Sequence, residues 1–172
     1  MAMPIAAKGF SMVRQRGFTL IELVMTLVIV GILAFFAISR LDFKSTFDER
    51  AFHDKLMAGL QFARKAAVAS RRYVCVGVAG NVVSFTVDAS PPEATATPFG
   101  GSCPFVNSLA LPAADNSCGG AGNQVCAPAG VTLASSVGSL QFDARGAAST
   151  AATFSSTGQP DITIENETGY VH

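Results

Sequence analysis

The side chains that could carry chemistry are few and scattered. In 172 residues there are two histidines, four cysteines and no tryptophan. His53 and His172 lie far apart, so a histidine-based catalytic or metal arrangement would have to be assembled from distant parts. Between Phe52 and Asp54, His53 reads as a packing or surface residue. No G-x-S-x-G, H-E-x-x-H, C-x-x-C or Walker string occurs, and the GGAG at 119 to 122 follows no strand-like run that could make it a phosphate loop. The pattern argues against an enzyme: no catalytic residue, no cofactor and no metal is expected. The chemistry left to Cys75, Cys103, Cys118 and Cys126, spaced by 28, 15 and 8, is crosslinking, because those spacings fit no common zinc pattern.

One carboxylate stands out. From Phe18 to Ile38 the sequence FTLIELVMTLVIVGILAFFAI runs 21 residues with Glu22 as its only charge. A helix of that length spans about 30 Å, the thickness of a hydrocarbon core, so 18–38 is a membrane-spanning candidate. Arg14 and Arg16 precede it, and Arg40 and Lys44 follow with Asp42 between, which favours a cytoplasmic N-terminus only weakly. A cleaved secretory signal would have a shorter apolar region, about 7 to 15 residues, ending in an A-x-A-like site. Ala34 and Ala37 are three apart. Glu22 in such a span costs a few kcal/mol and calls for a partner. The plainer reading is a carboxylate that snorkels to the interface and is eased by the helix dipole.

The rest of the chain must position these groups. Twelve Lys+Arg balance twelve Asp+Glu, 14% of residues are charged, 49% are hydrophobic and the mean hydropathy is +0.39. That is too apolar for a disordered chain, and the length suits about one domain. Charge is polarised: residues 40–72 hold eight basic and four acidic groups, whereas 73–172 hold one basic group, Arg145, and seven acidic. The basic stretch reads as a solvated helix face or as a subunit interface that meets acidic heads. Nucleic acid is disfavoured, since a region of net charge −6 repels phosphate.

Phe52, Leu56, Leu60, Ala63 and Ala67 recur at helical spacing, which predicts a helix over about 47–71 with one apolar stripe. If continuous from Phe18 to Arg71 it would be about 80 Å long, and Asp42 and Ser45 mark a possible break. From Tyr73 the period becomes two, and YVCVGVA and VVSFTVD flank Gly80-Asn81 as a hairpin. Short runs at 131–133, 140–142, 153–154, 162–164 and 170–171 predict further strands. One long helix followed by strands is an α+β order. Residues 89–130, with six of the eight prolines and three of the four cysteines, predict a long stapled loop.

The string RGFTLIEL at 16–23 closely resembles the cleavage motif of type IV prepilins and type II secretion pseudopilins. LQFDARG at 140–146 and TGYV at 168–171 resemble the H-type pseudopilin and FimT-like family. With FDERAFHDKL and ARKAAVASRR after the apolar helix, the nearest resemblance is to MSHA-type minor pilins. The resemblance implies a leader over 1–17, a long N-terminal helix over 18–72 packed on the antiparallel sheet of a head over 73–172, cleavage between Gly17 and Phe18 by a prepilin peptidase, and N-methylation of Phe18. It implies assembly through Glu22, which can pair with the new amine of a neighbouring subunit, and other pilins or pseudopilins as partners. Initiation at Met12 would shorten the leader to Met12-Val-Arg-Gln-Arg-Gly17. Before assembly the chain would sit in the bacterial inner membrane with a periplasmic head. Three machines remain open: a type IV pilus, a type II secretion pseudopilus and a DNA-uptake pilus.

With the head in an oxidising compartment, four cysteines allow three pairings. Two disulfides are favoured, with Cys103 to Cys118 or Cys118 to Cys126 as the closest pairs. One disulfide with Cys75 as a buried strand thiol, or a bound metal, are the alternatives.

Overall fold

The computed structural model describes residues 17–38, 43–92, 94, 98–100, 103–112 and 115–172. It comprises two compact units, Met1–Leu41 and Asp42–His172. The predicted leader except Gly17, and the flanking Arg40 and Asp42, lie outside the described residues.

In the first unit α1 covers Leu20–Ile38. It starts two residues later than the expected span because Thr19 caps it: the Thr19 carbonyl accepts the N–H groups of Glu22 and Leu23 at 3.1 and 3.2 Å, and Thr19 Oγ1 accepts that of Glu22 at 3.3 Å. A threonine three residues before a glutamate is the first half of a capping box. The 19 residues of α1 rise about 28 Å. Among the described residues no helix is long and apolar enough to cross a membrane. Every described side chain from Leu20 to Phe36 is exposed.

In the second unit α2 covers Phe43–Ser70, four residues earlier at its start than the apolar stripe alone predicts. Ser45 lies within the helix, so no break falls there. The helix ends because Arg71 turns left-handed, φ 53°, while the Arg72 N–H reaches back to the Ala67 carbonyl at 3.3 Å. Its stripe of Phe52, Leu56, Leu60, Ala63 and Ala67 is buried. The stripe packs with Val74, Val76, Val83, Phe85, Leu140 and Phe142 in one core. Each large side chain so buried contributes about 1.5 to 3 kcal/mol.

The strands are β1 (Val74–Ala79), β2 (Val82–Val87), β3 (Asn107–Ser108), β4 (Gln124–Cys126), β5 (Leu133–Ser135), β6 (Ser139–Phe142), β7 (Ala152–Ser156) and β8 (Ile162–Ile164). One antiparallel sheet runs β3-β2-β1-β6 with β4 also on β2, and a second runs β5-β7-β8. The β1–β2 hairpin pairs Val74 with Val87 and Ala79 with Val82, closing through Gly80 at φ 58°. Asn81 then clips the two sheets together: its side chain donates to the Val131 carbonyl at 3.5 Å and accepts the Leu133 N–H at 3.0 Å.

Several boundaries differ from the periodicity. The 89–130 stretch is not strandless, for β3 and β4 both pair with β2 and Asn116–Cys118 forms a 3₁₀ turn. Strands of two and three residues between Gly and Pro are too short to show alternation. Val131 and Thr132 precede β5, and Val171 makes only an isolated bridge to Ile164. The two segments LQFDARG and TGYV meet in space. Gly169, φ 59°, lies so close to the Gly146 carbonyl that a Cβ would collide with it, while Gly146, φ 87°, packs on Arg64 and Val68 of α2. Asp143 closes the turn that carries Gly146, its Oδ1 accepting the N–H groups of Arg145 and Ala147 at 2.8 Å each.

Candidate functional site

The first candidate site is the start of the first unit. Gly17 and Phe18 precede α1 in non-helical conformation, a Cβ on Gly17 would meet nothing within 4 Å, and Phe18 is 74% exposed. Both residues are exposed. Glu22 sits in the first turn of α1, four residues after Phe18, with its backbone N–H held by Thr19. A carboxylate at a helix N-terminus is eased by the dipole, so the helix itself gives Glu22 a place without an internal partner. The sequence signal missed was the T-x-x-E spacing at 19–22. Beyond it, Leu20, Ile21, Val24, Leu27, Leu33 and Phe35 are all exposed, an apolar surface on every side of a helix. A contiguous exposed apolar surface of this kind is unusual for a helix that stands alone in water.

The second candidate region is the stapled segment of the head. The structure pairs Cys75 with Cys103 and Cys118 with Cys126, with Cα atoms 5.8 and 5.4 Å apart. Cys103 thus joins the central strand β1 and not its neighbour in sequence Cys118, since β1 passes under the loop while β4 brings Cys126 back to Cys118. Between the staples sits Asp115, 2% exposed, which pattern reasoning did not single out. Its carboxylate accepts from Lys55 Nζ at 3.0 Å, the Cys126 N–H at 3.0 Å and the Ser117 N–H at 3.1 Å. Burial alone would push its pKa up, but the Cys126 N–H, Lys55 and Ser117 outweigh that and hold the carboxyl below its ordinary value. Asp115 therefore ties the disulfide loop to α2. Beside it Lys55, Ala58, Gly59, Leu111, Pro112 and Val125 line a cavity of about 130 Å³. A Cβ on Gly59 would lie 3.0 Å from the Phe85 ring, closer than ordinary contact, so the ring would have to shift.

His53 is buried on α2, with Nδ1 3.4 Å from Asp54 Oδ1. His172 stacks on Tyr170 with ring centroids 5.2 Å apart. Its Nε2 lies 3.0 Å from Thr163 Oγ1 in the same exposed hairpin. Among the described residues no group of three or more His, Cys, Asp or Glu is arranged to hold a metal.

The prokaryotic N-terminal methylation motif matches residues 12–38. Among curated proteins none matches the sequence. Among solved structures, the type IV minor pilin FimU of Pseudomonas aeruginosa is similar at 22% identity, over 76% of this chain and 90% of that one, with a TM-score of 0.52. The minor pseudopilin EpsH of the Vibrio cholerae type 2 secretion system is similar at 14% identity, over 73% of this chain and 94% of that one, with a TM-score of 0.51. Identities this low speak for the fold. The methylation motif stands ahead of a fold similar to that of minor pilins and pseudopilins. The chain shares its fold with type IV minor pilins and minor pseudopilins.

Proposed function

We propose that the protein is a minor pilin, a structural subunit of an MSHA-like type IV pilus and not an enzyme. A prepilin peptidase cuts between Gly17 and Phe18, and Phe18 is then N-methylated. The chain divides into a leader, 1–17, a long helix, 18–72, and the head, 73–172. The helix anchors the chain in the inner membrane with the head periplasmic, and then packs among other pilins as the fibre grows. Glu22 pairs with the Phe18 amine of an adjacent subunit. Inside an apolar fibre core that pairing stabilises only if both charges are present, since either one alone would be buried uncompensated. The carrying observation is the methylation motif at 12–38 leading into a helix whose described side chains are all exposed.

The similarity to EpsH supports a second reading, an H-type type II secretion pseudopilin, equally in fold. A DNA-uptake pilin of the FimT-like kind is less well supported, because the head from residue 73 has seven acidic groups and one basic. Replacement Glu22→Ala tests the assembly reading. Incorporation into sheared fibres should fall while the head stays folded, and normal incorporation would contradict the pairing. Whether the tagged subunit co-purifies with pilus or with secretion components separates the two machines.

A further inference from the structure

Two cations of the second unit are neutralised at home. Lys55 pairs with Asp115 and Arg145 with Asp143, each at 3.0 Å. Arg64 and Lys65 are different. With Gln61 of the same helix and Tyr170 and Val171 of the terminal hairpin they line a cleft of about 220 Å³. Among the described residues no carboxylate lies within 4.0 Å of either cation. Arg64 is aimed by one bond only, Nε donating to the Gly146 carbonyl at 3.3 Å, which leaves the far end of the guanidinium free. Lys65 is exposed and its ammonium makes no hydrogen bond or ion pair among the described residues. Opposite them Tyr170 is held flat by stacking on His172, rings 16° from parallel. Glu165, in the same hairpin, accepts from Thr168 Oγ1 at 2.9 Å.

We propose that this cleft receives a carboxylate side chain from the head of an adjacent pilin subunit. The inference rests on the reading of the chain as an assembling pilin and names a contact that α1 does not supply. A guanidinium, an ammonium and a side-chain amide around one cleft offer the charge-assisted donors that a carboxylate takes. Heads of this type supply such groups, for residues 73–172 carry seven acids, of which Asp161, Glu165 and Glu167 are exposed. A long polyanion is disfavoured by the same surface. Its many phosphates would face the net −6 of the head, whereas a single carboxylate in the cleft feels the two cations within a Debye length of about 8 Å.

The test uses the full chain in fibre-producing cells. Lys65→Glu should lower incorporation into fibres about tenfold, Lys65→Arg should leave it near normal, and both should fold, because Lys65 holds nothing in the head. A photo-crosslinker placed by Tyr170→p-benzoylphenylalanine should join to an Asp- or Glu-containing peptide of a neighbouring head. Undiminished incorporation of Lys65→Glu, or crosslinks to nucleic acid, to lipid or to no subunit at all, would overturn the proposal. Sequencing of the mature terminus in the same samples keeps the two readings apart: a terminus at Phe18 leaves the assembly reading standing, and its absence would sink that reading instead.

Discussion

Helices α1 and α2 contain 19 and 28 residues and treat their apolar side chains in opposite ways. In α2 the apolar residues form one stripe, and that stripe is buried against the strands of its own unit. In α1 apolar residues surround the axis, and the described ones are all exposed. One helix has a buried face, and the described side chains of the other form none. Glu22 is the only charged residue of α1.

The sharpest expected contrast is in stability. Leu60→Ala or Phe85→Ala, both in the core, should destabilise the head by about 3 to 5 kcal/mol, read as a shift in its urea midpoint. Leu27→Ala in α1 should move that midpoint by less than about 0.5 kcal/mol, since it removes nothing the head packs on. A large effect of Leu27→Ala would mean that the two regions are not independent in this way.

The disulfides come next. Chain-entropy reasoning gives about 3.6 kcal/mol for the Cys75–Cys103 crosslink, with a separation of 28, and about 2.5 kcal/mol for Cys118–Cys126, with a separation of 8. Paired Cys→Ser replacements should therefore rank in that order in thermal unfolding. Non-reducing peptide mapping should find these two pairings, and four free thiols in the exported protein would contradict them.

Asp115 should give a smaller, pH-dependent effect. Its folded pKa lies below the unfolded value, so its contribution is present above the ordinary aspartate pKa, about 3.9, and is lost as pH falls through the lower folded value. Asp115→Ala should cost about 1 to 3 kcal/mol at neutral pH by leaving the Cys126 and Ser117 N–H groups without their acceptor. The variant should also lose part of the acid dependence of stability. Wild-type acid sensitivity in the variant would show that another carboxylate carries it. Smallest of all, Glu22→Ala should leave head stability within about 0.5 kcal/mol of wild type, because Glu22 lies outside the head.

Legibility in the sequence followed length and period. The stripe from Phe52 to Ala67 and the hairpin around Gly80-Asn81 were readable because each repeats a period over enough residues to stand out. β3 and β4 were not, since their pairing with β2 is a tertiary event recorded in no local pattern. The carboxylate of Asp115 gave a faint signal at most, an acid ahead of Asn-Ser in a turn, whereas its burial depends on Lys55, sixty residues earlier. Gly146 and Gly169 show the reverse case: two weak string resemblances become a steric necessity once the backbones are seen to touch. At the N-terminus, RGFTLIEL carried the assembly reading by itself, for neither Gly17 nor Phe18 is held by packing that a structure would reveal.

The exposed helix has meaning only if the chain is processed to begin with it. Intact-mass analysis and N-terminal sequencing of membrane-extracted protein address that directly. The expected mature chain begins at Phe18, carries one added methyl group on its amine and retains α1. A mature terminus downstream of Ala37, with α1 removed, would contradict it.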